Sequence, residues 1–166
     1  MSCSLRPVGR AHRARLERLT RDTGLFREEE VATAVELLDE SLNGDADYRF
    51  VGAFDGDQLV GYACWGPTPG TEGTHDLYWI VVNHQRQGAG VGTQLLHEVE
   101  SRLAAHAAHL VVVETSSRAD YAHTRRFYEK RGYTRAATIP GYYAPGDDLV
   151  IYTKDLTDGD LAGAAP

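Results

Sequence analysis

Residues 83–100 leave an apolar run and enter a helical pattern, with Gly88, Gly90 and Gly92 at alternate positions. Glycine loses more backbone entropy on folding than any other residue, and serine or asparagine can make an ordinary turn, so three bare positions need a reason. A glycine-rich turn at the mouth of a helix gathers N–H groups at the positive end of the helix dipole. It also removes the Cβ atoms that hold a phosphate away, so the chemistry it suits is phosphate binding. No Gly-Lys-Ser/Thr follows, which excludes the lysine-bearing phosphate loop. A dinucleotide fingerprint needs glycine where Thr93 stands and an acidic partner such as Glu114. It belongs on a first strand, and here two helices and three strands come first. A merely tight turn explains one glycine better than three. A second chemistry-bearing position is Asp76, the only carboxylate in the apolar run 75–82. Period-two alternation puts it on the face of Tyr78, Ile80 and Val82, where it either accepts a proton or anchors the glycine-rich loop before it.

These groups need elements to hold them. At 166 residues the chain is long enough for one domain with a full core. We expect that domain over residues 1–156 and a flexible tail over 157–166. Arg6, Arg10, Arg13 and Arg15 lack the apolar core of a secretory signal, and Glu17 within a helical pattern sets a transit peptide aside. No apolar run reaches membrane-spanning length. Cys3 and Cys64 form neither a metal spacing nor a disulfide framework, which points to a reduced, cytoplasmic protein with no metal. A net charge of −7 argues against a nucleic acid partner and is compatible with an amine.

Val31, Val35, Leu38 and Leu42 line one face of a helix that begins near Glu28–Glu30 and stops at Gly44. Asp55-Gly56 marks a hairpin between two strands. Residues 75–82 and 110–115 read as strands buried on both faces. Residues 121–132 read as a helix ended by Gly132, and two last strands flank a loop at 140–148. The order is βααβββαβαββ, an α/β (α+β) chain with a mixed sheet and helices against it.

At this point the sequence resembles a known family. Gln87-Gly88-Ala89-Gly90-Val91-Gly92 is similar to the acetyl-CoA loop of the GNAT N-acetyltransferase superfamily, and Ile80 and Val82 fall where the family pattern has its preceding strand. Residues 124–133, with Phe127-Tyr128 and Gly132-Tyr133, are similar to a second family segment. The element order agrees over most of residues 4–155. The resemblance implies a mostly antiparallel central sheet flanked by about four helices. It implies that the amides from Gly88 to Thr93 hold the pyrophosphate of coenzyme A. It also implies that the backbones of Ile80 and Val82 pair with the pantetheine arm, with an oxyanion donor near Val82 and added charge from Arg86 and Arg126.

For the reaction, the resemblance implies direct attack of an amine on acetyl-CoA, with Tyr128 as the acid that protonates the departing thiolate. The competing role of Tyr128 is an aromatic packing the helix onto the sheet. Asp76 stands where several relatives carry a base and is the first choice for that role, ahead of Glu72, His75 and Glu114. Tyr142 and Tyr143 resemble tyrosines that hold the acceptor backbone in peptide-acetylating relatives, with Asp147 and Asp148 nearby as cation attractors. Tyr62 and Trp65 line either that cleft or the core. Tyr121 stands where many relatives have asparagine, and Thr124 is the nearest replacement. The acceptor is expected to be a small-molecule or peptide amine, and a homodimer is compatible with this reading. Two other readings stay open: a non-catalytic acyl-CoA-binding or sensing domain, and a nucleotide-binding domain.

Overall fold

Val31, Ala34, Val35 and Leu38 are buried along one side of helix α2 (Glu28–Asn43), which carries three glutamates in its first turn and ends at Gly44 in the left-handed conformation. It follows strand β1 (Ser4–Arg6) and helix α1 (Arg13–Asp22). Strands β2 (Arg49–Asp55), β3 (Gln58–Pro67) and β4 (Thr74–Val82) come next, then α3 (Val91–Ala105) and β5 (Leu110–Ser116). Helix α4 (Ala122–Glu129) and strands β6 (Thr134–Ala144) and β7 (Asp147–Asp155) complete the chain. The expected order βααβββαβαββ is the order found. This computed structural model describes residues 3–157, so the expected tail from residue 158 onward lies outside the described residues. The seven strands hydrogen-bond in the order β1-β2-β3-β4-β5-β7-β6. The chain clusters into two compact units, residues up to Pro67 with Leu77–Arg102, and Thr68–Asp76 with residues from Leu103 onward.

In the first unit β1, β2 and β3 pair antiparallel, with Ser4 opposite Phe54 and Phe50 opposite Cys64. The β2–β3 turn is Gly56-Asp57, one residue later than expected. Its positive φ falls on Gly56, the first central residue, as a type II′ turn requires. Leu16 and Leu19 of α1, Val35 and Leu38 of α2, and Phe54, Leu59 and Val81 share one core. Tyr62 and Trp65 are both buried, which assigns them to the core and not to a cleft. Tyr62 bonds the Thr20 hydroxyl at 2.7 Å, and Thr20 in turn donates to the Leu16 carbonyl at 2.8 Å. Thr20→Val keeps the shape but leaves the Tyr62 hydroxyl buried without its partner. It should cost about 1–3 kcal/mol in denaturant unfolding, and Thr20→Ser should restore most of that loss.

The second unit is organised by β5. Thr74, His75 and Asp76 of β4 run parallel to it opposite Leu110, Val111 and Val112, an arrangement that requires a crossover, here α3. Strand β7 pairs antiparallel with β5, placing Ile151 opposite Glu114, and β6 pairs with β7. The sequence reading of β4 and β5 as buried on both faces is corrected. In β5, Val111, Val113 and Thr115 are buried, while Leu110 and Val112 are half-buried and Glu114 is exposed. In β4 only Leu77 and Val81 are fully buried. Its aromatic content goes instead into half-exposed ring pairs, Tyr78 edge-on to Tyr48 at 5.6 Å and Trp79 tilted against Phe26 at 6.2 Å. The expected loop at 140–148 is also corrected. Tyr142 and Tyr143 belong to β6, and the connection shrinks to Pro145-Gly146 because Ala144 pairs with Asp147 and Gly146 takes a positive φ.

Candidate active site

Strand β4 leads into a short 3-10 turn at His84–Arg86, opened by the Asn83 side chain, which accepts from the Gln85 amide at 3.1 Å. Gly88 and Gly90 then adopt φ of 81° and 83°, a conformation that disfavours side chains, so the turn itself demands glycine at these two places. Gly92 lies in the first turn of α3. A Cβ built at Gly88 or Gly90 would meet nothing within 4 Å, and Gln87, Gly88, Ala89 and Gly90 are all exposed. Helix α3 begins with the Gln94 amide bonding the Gly90 carbonyl at 3.0 Å. The amides of Gly88, Gly90, Val91 and Gly92 carry no hydrogen bond among the described residues. They stand at the positive end of a fifteen-residue helix, which is what an anion site requires. Val91 is buried against β3 at Gly61, where an added Cβ would come within 3.4 Å of the Val91 side chain and 2.9 Å of the Val81 carbonyl oxygen. Ile80 and Val82 are half-buried on β4 and Thr93 is half-buried on α3, in the same unit as the loop. The Arg86 guanidinium is paired with Asp55, so its charge already has a partner. Arg126 is exposed on α4.

The proton-transfer candidates lie in the second unit. Tyr128 is only 4% exposed, with its ring edge-on to Phe127 at 5.2 Å and Tyr133 at 5.3 Å. It therefore packs, as the competing reading held. Its hydroxyl has no hydrogen-bond partner among the described residues, and burial pushes its pKa up, which keeps it protonated. Asp76 is half-buried and makes neither a hydrogen bond nor an ion pair among the described residues. The loop before it is held without it, by the Thr68 amide on the Thr74 carbonyl at 2.9 Å and the His109 amide on the Gly73 carbonyl at 2.9 Å. The anchoring role is unsupported.

His75 pairs opposite Val111, on the sheet face away from Asp76, and burial lowers its pKa. Glu72 is exposed in the bend before β4. Glu114, ranked low from sequence, carries a carboxyl raised first by burial and then by the charge of Asp76. Strand alternation carried across the β4–β5 register is the signal that finds it.

Tyr142 and Tyr143 are exposed and stand edge-on at 5.0 Å. Burial pushes the Tyr143 phenol up to about 12, with Glu114, Tyr142, Tyr121 and Asp147 adding to the shift. Asp148 accepts from the Gly141 amide at 2.8 Å and Asp147 accepts from the Ser116 hydroxyl, so both tie strand ends together. Tyr121 lies under the Arg118 guanidinium, 5.2 Å from its ring centre. Among the described residues no group of His, Cys, Asp and Glu is arranged to hold a metal, and no helix is long and apolar enough to cross a membrane.

Residues 14–133 match the model of the acetyltransferase (GNAT) family, and the chain belongs to that family. A GNAT-family protein of known structure from Desulfovibrio desulfuricans is 42% identical, with 93% of this chain and 99% of that one covered and a TM-score of 0.88. Aminoglycoside 6'-acetyltransferase type Ii is 25% identical over 92% of this chain and 97% of its own, with a TM-score of 0.77. The PaiA N-acetyltransferase of Thermoplasma acidophilum, solved in complex with coenzyme A, shares the fold at 17% identity, 91% and 98% coverage and a TM-score of 0.72. No curated protein sequence matches the chain at a significant level.

Proposed function

We propose that the chain is an acetyl-CoA-dependent N-acetyltransferase that transfers an acetyl group to a primary amine of a small molecule or peptide by direct attack in a ternary complex. The observation that carries this reading is the row of unbonded amides at Gly88, Gly90, Val91 and Gly92 ahead of α3, in a chain of the GNAT family. Those amides and that of Thr93 would hold the pyrophosphate, with Gln87 and Ala89 shaping the turn. The backbones of Ile80 and Val82 would pair with the pantetheine arm as an added strand does. Acetyl-CoA supplies the activated acyl carbon. Asp76 takes the proton that the acceptor ammonium must lose before its nitrogen can attack. The C–N bond forms as the C–S bond breaks, and the Tyr128 hydroxyl donates a proton to the departing sulfur. The second proton that the nitrogen sheds on becoming an amide restores the phenol. Tyr142 and Tyr143 would line the acceptor. The free thiols of Cys3 and Cys64 support a cytoplasmic setting.

The test is acetyl-CoA turnover against amines, amino acids, polyamines and short peptides, beside a thermal-shift screen. Acetyl-CoA should raise the melting temperature and nicotinamide dinucleotides should not. Stabilisation without turnover on any acceptor would make the chain a sensing domain instead. Gly90→Val should cost about 2 kcal/mol or more of acetyl-CoA affinity, because its side chain crowds the amides that make charge-assisted bonds. Valine at positive φ also strains the turn, so calorimetry is paired with a melt. Unchanged affinity in a folded variant would remove the loop from the donor site.

A further inference from the structure

Asp76 pairs with Val112 across parallel strands, and Val112 and Glu114 are two residues apart on β5, so Asp76 and Glu114 share one face of the sheet. Strand spacing of about 4.8 Å and a rise of about 3.3 Å per residue put their Cα atoms roughly 8 Å apart. Their neighbours on that face, Val112 and Ile151, are apolar and half-buried. Neither carboxylate has an ion pair or hydrogen bond among the described residues. The two like charges oppose each other, Asp76 half-buried and Glu114 at the exposed end of the face, and no described residue pairs with either. Local rules are broken in this way chiefly at functional sites. Tyr143 lies close enough for the Glu114 charge to oppose ionisation of its phenol, which brings an aromatic ring to the same place.

We propose that Glu114 sets acceptor specificity by holding a second positive charge on the acceptor, so that the preferred substrate is an amine with another cationic group a few bonds away. This rests on the reading of the Asp76 face as the acceptor site. Asp76 receives the proton of the reacting ammonium, and Glu114, with the Tyr143 ring beside it, binds the distant cation, which stays charged throughout. A short diamine and a peptide whose terminal amine adjoins lysine both present this chemistry, and assaying each tells which is the source.

Glu114→Gln should raise KM for a diamine about tenfold or more, the loss of one charge-assisted contact, with little change in kcat. KM for a monoamine of equal chain length should stay the same, as should acetyl-CoA affinity. Because burial and Asp76 disfavour the ionised carboxyl, the variant should melt no lower than wild type at pH 7. Equal KM changes for diamine and monoamine, or no change for either, would overturn the proposal. A fall in melting temperature with KM values preserved would also overturn it, by making Glu114 structural. Wild-type turnover of monoamines as readily as diamines overturns this inference alone. Absence of turnover with every amine overturns the proposed reaction and this inference with it.

Discussion

Tyr128→Phe should lower kcat on the order of 10²-fold or more while leaving KM for acetyl-CoA nearly unchanged and the melting temperature no lower. The three expectations have one cause. The ring is what packs, edge-on to Phe127 and Tyr133 in a site that is 4% exposed, and phenylalanine keeps that ring. The hydroxyl bonds nothing among the described residues, so its deletion breaks no hydrogen bond within the protein. Its stated use is to give a proton to the leaving sulfur, an interaction made only as the C–S bond breaks, and such a loss appears in kcat. The raised phenol pKa ensures that this proton is present at neutral pH. A thiolate, whose conjugate acid has a pKa of about 8.5, is a fair leaving group even without a proton, so the variant should keep a residual rate and not fall to zero. Full activity at pH 7 would return Tyr128 to the core, and a fall in melting temperature would show that the hydroxyl has a structural partner.

Which parts of this arrangement were legible from sequence follows from the range of the interactions involved. Helix α2 was, because Val31, Val35 and Leu38 lie on one face and Gly44 ends it, all within a few turns. The loop at 88–93 was legible as a helix mouth, but the reason for two of its glycines was not. Gly88 and Gly90 are required by positive φ, and spacing alone does not distinguish that demand from the close approach of a ligand. Long-range pairing was out of reach. Ala144 opposite Asp147 turned an expected loop into the end of β6, and the parallel match of Asp76 with Val112 placed Glu114 beside the proposed base. Composition saw the apolar runs of β4 and β5 but could not tell full burial from the half-exposed aromatic pairs at Tyr78 and Trp79. The division of the chain into two units likewise depends on contacts distant in sequence.

Asp76→Asn should lose most activity near neutrality and recover part of it at high pH. The reacting nitrogen must be neutral, and near pH 7 an alkyl amine is almost wholly protonated, so some group must accept its proton. Asparagine keeps size and polarity but cannot accept a proton at working pH. Raising the pH supplies the free amine directly, which bypasses the missing base. In the wild type, kcat/KM should therefore hold up near neutrality, because Asp76 receives the proton of the amine. In the variant the rise of kcat/KM with pH should follow the free fraction of the amine itself. Glu114 faces the same space and loses a like-charged neighbour in the variant, so its own carboxyl should fall toward the ordinary range without taking over the role. An anchoring aspartate predicts a different pair of results, a lower melting temperature and an unshifted profile of whatever activity remains. The absence of any hydrogen bond from Asp76 to the loop at 68–73 makes that outcome the unexpected one. A normal rate and pH profile in Asp76→Asn would move the proton to Glu72, His75 or a chain of water molecules.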